Sequence, residues 1–482
     1  MARYTMLLLV SLVSTSAVAL EIPLTYQRYT ADKKGFQGQS APYPVTNETT
    51  RPDGEWKLPK LVSKVPLYQI IRLAGQERLL IVDQKSPDDK FYSRIYFDFN
   101  GNRDLTDDPP VDRAVEGRDS WFPARFPRFD VVLPVRGKPL PFSLGVFVPG
   151  AEPGLGEWLI SHLSGERPTL FVDILCECSG EFDLGGQHYS IHLWDMNSNG
   201  FLDDVLGARV PNREPAVTGP QGDCDFIILS AGDQEAGFTM LPLTNKLVLG
   251  DSLFDVTVNL TEDRLVLTPF AGAVGTVKLN ATFESMTLFC AEPKFSITLS
   301  HPPSTAALPP TVALPCGIYS LQGYSMSCKD NAGEEWNVCG SGDNETQTMT
   351  VVNGEEKPIP FGEPFAPKVF LLEGGIQHGF FGTKAVLGFS MYGAGRETVR
   401  SLAKTIPPGT TGVVYPFAKD PTYKMVNSDG HVVAQGRFTH GYGSQEYASV
   451  WNGARPGTYR VQCSFEPGPF KFEAKEQTLQ VQ

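Results

Sequence analysis

The chain has 482 residues, of which 54 are Asp or Glu and 41 are Lys or Arg, so its formal net charge is −13. This acidic balance argues against nucleic acid and anionic membrane surfaces as partners. Hydrophobic residues make up 41% and charged residues 20%, which is a globular composition, and a chain of this length exceeds one core, so we expect two to four domains.

The N-terminus has the pattern of a secretory signal peptide over residues 1–19. Arg3 supplies the positive charge, residues 7–13 form the short apolar stretch, and Ala17 and Ala19 are the small residues of a cleavage site. The apolar stretch is too short to span a bilayer, and no other stretch approaches about eighteen apolar residues. The sequence therefore predicts an exported protein, periplasmic or extracellular, without membrane insertion.

The chain has eight cysteines, an even number that permits disulfides after export. Cys316, Cys328 and Cys339 lie close together in sequence and favour one local bridge, although the pairing cannot be deduced from spacing. The cysteines could form structural disulfides or remain as buried thiols, and the sequence leaves both alternatives open. Cys176 and Cys178 lack the second pair or nearby histidines that a zinc site requires.

Residues 20–60 are rich in Pro, Thr and Gly without clear periodicity and predict an extended lead-in. Over residues 61–300, short β-branched and aromatic runs separated by Gly, Pro and Asp predict antiparallel strands. The runs are 65–73, 78–83, 92–98, 129–135, 142–148, 171–178, 189–195, 224–229, 247–249, 254–260 and 265–267.

The Pro-rich segment 301–315 predicts a stiff linker, and residues 316–363 predict a further β module. Residues 364–482 predict an immunoglobulin-like or fibronectin-like β-sandwich with a hairpin turn at 427–430. Only 157–163 and 396–406 favour helices. The predicted fold class is therefore all-β: antiparallel sheets carrying two calcium-type loops, followed by sandwich modules.

Two stretches place oxygen side chains at alternate positions and end in paired carboxylates. The first offers Asp98, Asn100, Asn102 and Asp104, closed by Asp107 or Asp108. The second offers Asp195, Asn197, Asn199 and the carbonyl of Phe201, closed by Asp203 or Asp204. Because Ca²⁺ takes six to eight oxygen ligands, which a tight loop supplies by this alternation, both stretches predict calcium loops.

Both loops depart from the EF-hand pattern. Position 12 holds Pro109 or Leu206 instead of Glu, and predicted strands rather than helices lead into the loops. The second loop fits better because Gly200 occupies position 6, where the first has Arg103. The three carboxylates and two amides of the second loop indicate weak calcium binding, with a dissociation constant of roughly 10⁻⁴ to 10⁻³ M and a structural role for the ion. The alternative is an Asx-rich turn without an ion.

The two loops belong to an internal sequence repeat, since Tyr92 and Tyr189 stand at the same distance before the first Asp of each loop. The region from about residue 65 to 269 also resembles secreted bacterial proteins of uncharacterised function that carry a Y-F-D-x-N-x-[ND]-x-D-L-T-D-D stretch. Residues 96–108 carry the resemblance here. It implies EF-hand-like calcium loops embedded in a β-rich protein and implies no reaction.

Motifs for catalysis are weak. The seven histidines show no zinc spacing, and the chain has no nucleophile elbow, P-loop or dinucleotide fingerprint. Glu177 and Glu181 are candidate carboxylates for glycoside hydrolysis, but no spacing identifies an acid/base pair. We interpret the chain as an exported calcium-binding, non-catalytic protein with a structural, surface or ligand-binding role, the ligand being carbohydrate or protein. The alternative is a secreted hydrolase acting on polysaccharide or peptide with structural calcium.

Overall fold

The computed structural model describes most of the chain. The described residues are 18–28, 45–46, 51–89, 92–113, 124–135, 137–148, 169–174, 176–195, 199–206, 224–232, 239–280, 282–300, 308–329, 335–343, 345–379, 382–404, 420–440, 447–464 and 477–481. Most of the predicted signal peptide, Asn197, the first half of the predicted linker and the candidate helix 157–163 lie outside these ranges.

Within the described residues the secondary structure is all β, without a helix. The strands up to residue 231 are β1 (Leu20–Pro23), β2 (Thr25–Arg28), β3 (Val45–Thr46), β4 (Leu67–Leu73), β5 (Gln76–Asp83), β6 (Arg94–Phe97), β7 (Val111–Asp112), β8 (Ala124–Arg125), β9 (Phe129–Val135), β10 (Lys138–Val148), β11 (Thr169–Ile174), β12 (Cys176–Leu184), β13 (Gln187–Trp194) and β14 (Phe226–Ala231).

The remaining strands run to the C-terminus. They are β15 (Thr239–Pro242), β16 (Lys246–Leu249), β17 (Ser252–Asn259), β18 (Arg264–Pro269), β19 (Val274–Lys278), β20 (Phe283–Cys290), β21 (Phe295–Ser300), β22 (Thr311–Pro315), β23 (Gly317–Lys329), β24 (Glu335–Ser341), β25 (Met349–Val351), β26 (Glu356–Pro358), β27 (Ala366–Gly379), β28 (Gly382–Tyr392), β29 (Thr398–Lys404), β30 (Thr422–Val426), β31 (Val432–Arg437), β32 (Thr439–His440), β33 (Tyr447–Asn452), β34 (Gly457–Ser464) and β35 (Gln477–Val481).

These strands form six sheets. Two of them position the loops: β4-β5-β6-β7 and β15-β14-β13-β12-β2. A 14-stranded sheet contains β1, most strands from β16 to β29, β32 and β33, and the others are β3-β11-β10-β8 with β9, β22-β19-β26, and β31-β30-β34-β35. Pairing is antiparallel except between β16 and β21 and between β19 and β26 among the described pairs. The predicted all-β class with antiparallel sheets is confirmed.

The sheet β4-β5-β6-β7 is covered on both faces. On one face Leu80 and Phe97 join Leu133 of β9 and Phe142 of β10 in a hydrophobic cluster, here called the loop core. On the other face Leu79, Ile81 and Tyr96 pack with Trp56. Alternate residues of a strand face opposite sides, so burial on both sides explains why the sequence 79–82 is continuously apolar.

The predicted module boundaries do not coincide with breaks between sheets. β1 and β2, from the predicted lead-in, pair with β18 and β12. β22 lies inside the predicted linker and pairs with β19, and β20 pairs with β23 across the 301–315 segment. The division into modules at 316 and 364 stays a prediction.

The predicted hairpin turn at 427–430 and the predicted helix at 396–406 have different outcomes in the structure. The hairpin turn at 427–430 is confirmed, with Gly430 at a φ of +81° and its N–H donating to the Asn427 carbonyl at 3.1 Å. The helix expected over 396–406 is wrong, because β29 occupies 398–404 and pairs with β24. Tertiary pairing overrides the helix preference of this charged segment.

The cysteines with described side chains are free thiols. Cys176, Cys178, Cys224, Cys290 and Cys463 are buried, whereas Cys316 and Cys339 are partly exposed. The structure therefore does not support the predicted disulfides among these seven; the Cys328 side chain lies outside the described part. Burial raises the pKa of Cys176 to about 11 and that of Cys463 to about 12. These thiols pack as small apolar side chains.

Candidate metal site

The second loop begins where β13 ends, at Trp194, and folds around the side chain of Asp195. This carboxylate is only 6% exposed. Its Oδ1 accepts the N–H of Asn199 at 3.1 Å, and its Oδ2 accepts the N–H of Gly200 at 2.7 Å. The Asn199 Oδ1 in turn accepts the N–H of Phe201 at 2.8 Å. The first predicted ligand is thus the point around which the loop closes.

Gly200 is required by two features of this loop. Its φ is +85°, in the left-handed region that favours glycine. A Cβ at this position would lie 2.8 Å from the backbone nitrogen of Ala74, in the turn between β4 and β5. That same nitrogen donates to the Asn199 carbonyl at 2.6 Å. The second loop is therefore docked on the β4–β5 hairpin, which belongs to another sheet.

The closing end of the second loop holds Asp203 and Asp204, both half-buried. The Nδ2 of Asn199 donates to the Asp204 Oδ2 at 2.5 Å, which joins two predicted ligands. Asn197 lies outside the described residues. The structure thus brings Asp195, Asn199 and Asp204 into one hydrogen-bonded loop.

Sequence reasoning missed one carboxylate at this loop, Asp225. It is fully buried, its Oδ2 accepts the N–H of Asp204 at 2.8 Å, and the N–H of Asp225 donates to the Asp204 carbonyl at 2.9 Å. Burial, followed by the negative charge of Asp195, raises the pKa of Asp225 well above its usual value. The only sequence signal was an Asp at the entry of an apolar strand, which does not single out a ligand.

The first loop begins directly after β6 and is built from successive turns of Asp and Asn side chains. Asp98 is fully buried; its Oδ1 accepts the N–H of Gly101 at 2.8 Å. Asn100 Oδ1 accepts from the N–H of Asn102 at 2.9 Å, and Asn102 Oδ1 accepts from the N–H of Asp104 at 2.7 Å. These oxygens cap the loop's own backbone, as expected of an Asx-rich turn.

The closing carboxylates of the first loop are tied to its beginning. The Asn102 Nδ2 donates to Asp107 at 2.9 Å, and Asp108 accepts the N–H of Phe99 at 3.2 Å. Burial raises the pKa of Asp108. The predicted ligands of the first loop therefore lie within one closed turn.

Basic side chains approach the first loop. Lys57 Nζ lies 2.7 Å from the Asp104 carboxylate, and hydrogen bonding to Lys57 lowers the pKa of Asp104 to about 2. The Arg78 side chain is buried, and its Nη1 lies 1.6 Å from where a Cβ on Gly101 would stand. The protein itself thus supplies positive charge at this loop, and a metal cation would compete with Lys57 for Asp104.

Both loops rest on the loop core. Phe99 of the first loop packs edge-on against Phe97 and Phe129, with ring centroids 5.3 Å apart in each pair. Phe201 of the second loop and Ala74 pack against the same cluster. Both loops therefore contact one shared core.

No group of three or more His, Cys, Asp or Glu side chains is close enough to hold a metal ion as the described residues stand. Amide and carbonyl oxygens also bind Ca²⁺, and both loops carry them among their carboxylates. A cation bound by either loop would compete for oxygens that accept backbone hydrogen bonds in this structure.

The two carboxylates considered for hydrolysis are separated into different pairs. Glu177 is buried and accepts from His192 Nδ1 at 3.1 Å and from Trp194 Nε1 at 3.0 Å. Glu181 is exposed, and its carboxylate lies 3.8 Å from the Nε2 of His188. Glu177 and His192 form the more enclosed pair.

Comparisons with known proteins do not assign a family. No protein-family model matches the sequence, and no curated protein matches it. Among solved structures the chain is similar to the Bacillus anthracis TIE protein, with 10% identity over 77% of this chain and 71% of that chain, and a TM-score of 0.12. At that score the similarity carries no argument about fold or function. In the described part of the chain no helix is long and apolar enough to cross a membrane.

Proposed function

We propose that the protein is an exported calcium-binding protein with a structural, surface or ligand-binding role and without catalytic activity. The observation that carries the proposal is the burial of the first carboxylate of each loop, Asp98 at 0% and Asp195 at 6% exposure, among further oxygen side chains. Carboxylate oxygens held among other oxygen side chains are the ligands that Ca²⁺ prefers.

In this proposal calcium stiffens the N-terminal sheets. The second loop continues β13 and is docked on the β4–β5 hairpin through Ala74, so an ion bound there fixes the contact between two sheets. The first loop continues β6 of the hairpin's own sheet. Rigid sheets would in turn present a fixed surface to a carbohydrate or protein ligand.

We expect the second loop to bind calcium more tightly than the first, because Lys57 already neutralises Asp104 in the first loop. Isothermal titration calorimetry with calcium tests both statements. Asp195→Asn should abolish the tighter binding phase, since it removes the charge of a central ligand while keeping its size. The matched control is Asp251→Asn in the exposed turn between β16 and β17, which changes the net charge equally and should leave binding unchanged. Absence of calcium binding by the wild type would refute the proposal.

The proposal includes export through the signal peptide predicted at 1–19. Mass spectrometry of the protein recovered from the periplasm or medium should find a mature N-terminus at Leu20 or Glu21. Recovery of the full-length chain in the cytoplasm alone would contradict this part of the proposal.

We also infer that residues 364–482 form the predicted immunoglobulin-like or fibronectin-like sandwich. In support, Tyr423 and Val461 of β31-β30-β34-β35 share a core with Leu387 and Phe389 of β28. The Tyr459 hydroxyl donates to the Arg455 carbonyl at 2.8 Å, which resembles the tyrosine corner of such sandwiches. Tyr459→Phe should lower stability by about 1 kcal/mol through loss of this bond. An unchanged free energy of unfolding would count against the tyrosine corner.

The alternative function, a secreted hydrolase acting on polysaccharide or peptide, is favoured by the pair of Glu177 and His192. A buried carboxylate that accepts from imidazole Nδ1 fixes the orientation of the ring, and the His192 side chain is 26% exposed. A screen of such polymers with the calcium-loaded protein tests this function. Turnover that His192→Gln removes would establish the alternative, and absence of turnover supports the non-catalytic proposal.

A further inference from the structure

Asp225 directly precedes β14, after the chain segment that begins with the second loop. Its backbone is held on both sides: the N–H donates to the Asp204 carbonyl at 2.9 Å, and its carbonyl accepts the N–H of Leu243 at 2.7 Å. Its backbone is therefore held by the second loop on one side and by the residue that follows β15 on the other. Asp204 is tied to it twice, since the Asp204 N–H also donates to Asp225 Oδ2 at 2.8 Å.

The other oxygen of this carboxylate is the unusual feature. Asp225 is 0% exposed, and its Oδ1 is buried without a hydrogen-bond partner among the described residues. Buried polar oxygens are nearly always hydrogen-bonded, and leaving one unpaired costs about 1–3 kcal/mol. The negatively charged groups that act on Asp225 are Asp195, Asp203 and Asp204, all from the second loop. A buried carboxylate oxygen without a hydrogen-bond partner, in a side chain that is tied to the second loop through Asp204, is a suitable ligand for a cation.

We propose that Asp225 is a direct ligand of the cation bound by the second loop, so that the site takes oxygen ligands from both β13's end and β14's start. This inference rests on the calcium binding proposed above. It adds a fourth carboxylate to the three that the loop supplies. More negative charge favours hard cations of high charge, so the site should accept calcium and trivalent lanthanides and should bind calcium more tightly than the 10⁻⁴ to 10⁻³ M range typical of weak extracellular sites.

A ligand outside the second loop also changes what the ion does. Loop ligands alone would order the loop, whereas a ligand at Asp225 links the end of β13 to the start of β14. The bound ion would thereby fix both ends of the chain segment between Asp195 and Asp225.

The competing explanation is that Asp225 is a neutral, protonated acid that serves only the local hydrogen bonds. Asn is nearly the same size and still accepts the N–H of Asp204, so Asp225→Asn separates the two explanations. A neutral acid replaced by Asn leaves cation binding unchanged. A ligand replaced by Asn weakens binding by roughly 10-fold or more, because losing even an outer-shell partner costs 10–100-fold in many metal sites.

The experiment measures terbium luminescence excited through tryptophan, since Trp194 directly precedes Asp195. Wild type, Asp225→Asn, Asp195→Asn and the control Asp251→Asn are titrated with Tb³⁺ as full-length mature chains, and Ca²⁺ is then used to displace it. Near-ultraviolet circular dichroism in chelator checks that each variant is folded. If Asp225→Asn is unfolded, Asp225→Ser, which retains an oxygen acceptor, takes its place.

The expected result is strong luminescence in the wild type and control, loss in Asp195→Asn, and at least about 10-fold weaker Tb³⁺ and Ca²⁺ binding in Asp225→Asn. Wild-type affinity in Asp225→Asn, with binding lost in Asp195→Asn, would overturn the inference and leave the proposed calcium binding intact. Absence of binding in the wild type would overturn both.

Discussion

Gly200→Ala tests whether the second loop is docked on the β4–β5 hairpin as the structure shows. The matched control is Gly186→Ala in the β12–β13 turn, because its φ of +82° is close to the +85° of Gly200 and a Cβ there would have no atom within 4 Å. Both alanines adopt a left-handed conformation, which costs about 1–2 kcal/mol, and both gain a little from a less flexible unfolded chain. These two contributions to the free energy of unfolding cancel when the variants are compared.

The difference between the variants comes from the contact with Ala74. The alanine Cβ at 200 would lie 2.8 Å from the Ala74 nitrogen, so the loop must move and lengthen the 2.6 Å hydrogen bond to the Asn199 carbonyl. A hydrogen bond of this kind contributes about 0.5–1.5 kcal/mol. Gly200→Ala should therefore lose about 1 kcal/mol more than Gly186→Ala.

Urea unfolding in chelator, followed by tryptophan fluorescence, measures this difference through the midpoints at constant slope. Repeating the series in calcium adds a second readout, because only Gly200→Ala should also reduce the stabilisation by calcium. Equal losses for the two variants in chelator would refute the docking of the loop on Ala74.

Three further predictions concern other residues. Lys57→Gln should leave stability nearly unchanged but shift the weaker phase of a calcium titration to lower concentration, because Asp104 loses its competing cation; an unchanged weaker phase would exclude calcium at the first loop. Cys178 and Cys463 should resist iodoacetamide at pH 8 in the native state, since burial raises the pKa of each thiol to about 12; rapid alkylation seen by mass spectrometry would contradict their burial. Burial raises the pKa of Glu397 above its unfolded value of about 4.5, so its contribution to the free energy of unfolding is full below that pH and is lost as pH rises through the folded pKa. A difference in the free energy of unfolding between wild type and Glu397→Gln that does not vary with pH over this range would be inconsistent with the raised pKa.

The strands and the loop positions were predictable because they depend on local pattern. The apolar run of β5 and the Asp that directly follows β6 and β13 are visible in the sequence, and the structure places Asp98 and Asp195 at those strand ends. The EF-hand pattern places Gly200 at position 6 of the second loop, and the structure gives this residue a φ of +85°.

The features that sequence could not supply all depend on contacts between distant segments. Lys57 meets Asp104, and Asp225 meets Asp204 across 21 residues, only because the fold brings segments together that are distant in sequence. The local disulfide expected near Cys316 is not supported for the same reason, since spacing says nothing about which thiols approach one another in space. The local helix preference at 396–406 gave way to sheet pairing.

The most direct test of calcium binding by the two loops is a thermal melt of the mature protein in millimolar calcium and in excess chelator, with magnesium as the control ion. If the native state alone binds calcium at about 100 times its dissociation constant, it gains about 2.7 kcal/mol, which corresponds to roughly 5–10 °C for a region of this size. We expect the melting temperature to rise by that amount with calcium and by less with magnesium. Identical melting temperatures in calcium and chelator would show that the two Asp- and Asn-rich loops are turns without an ion.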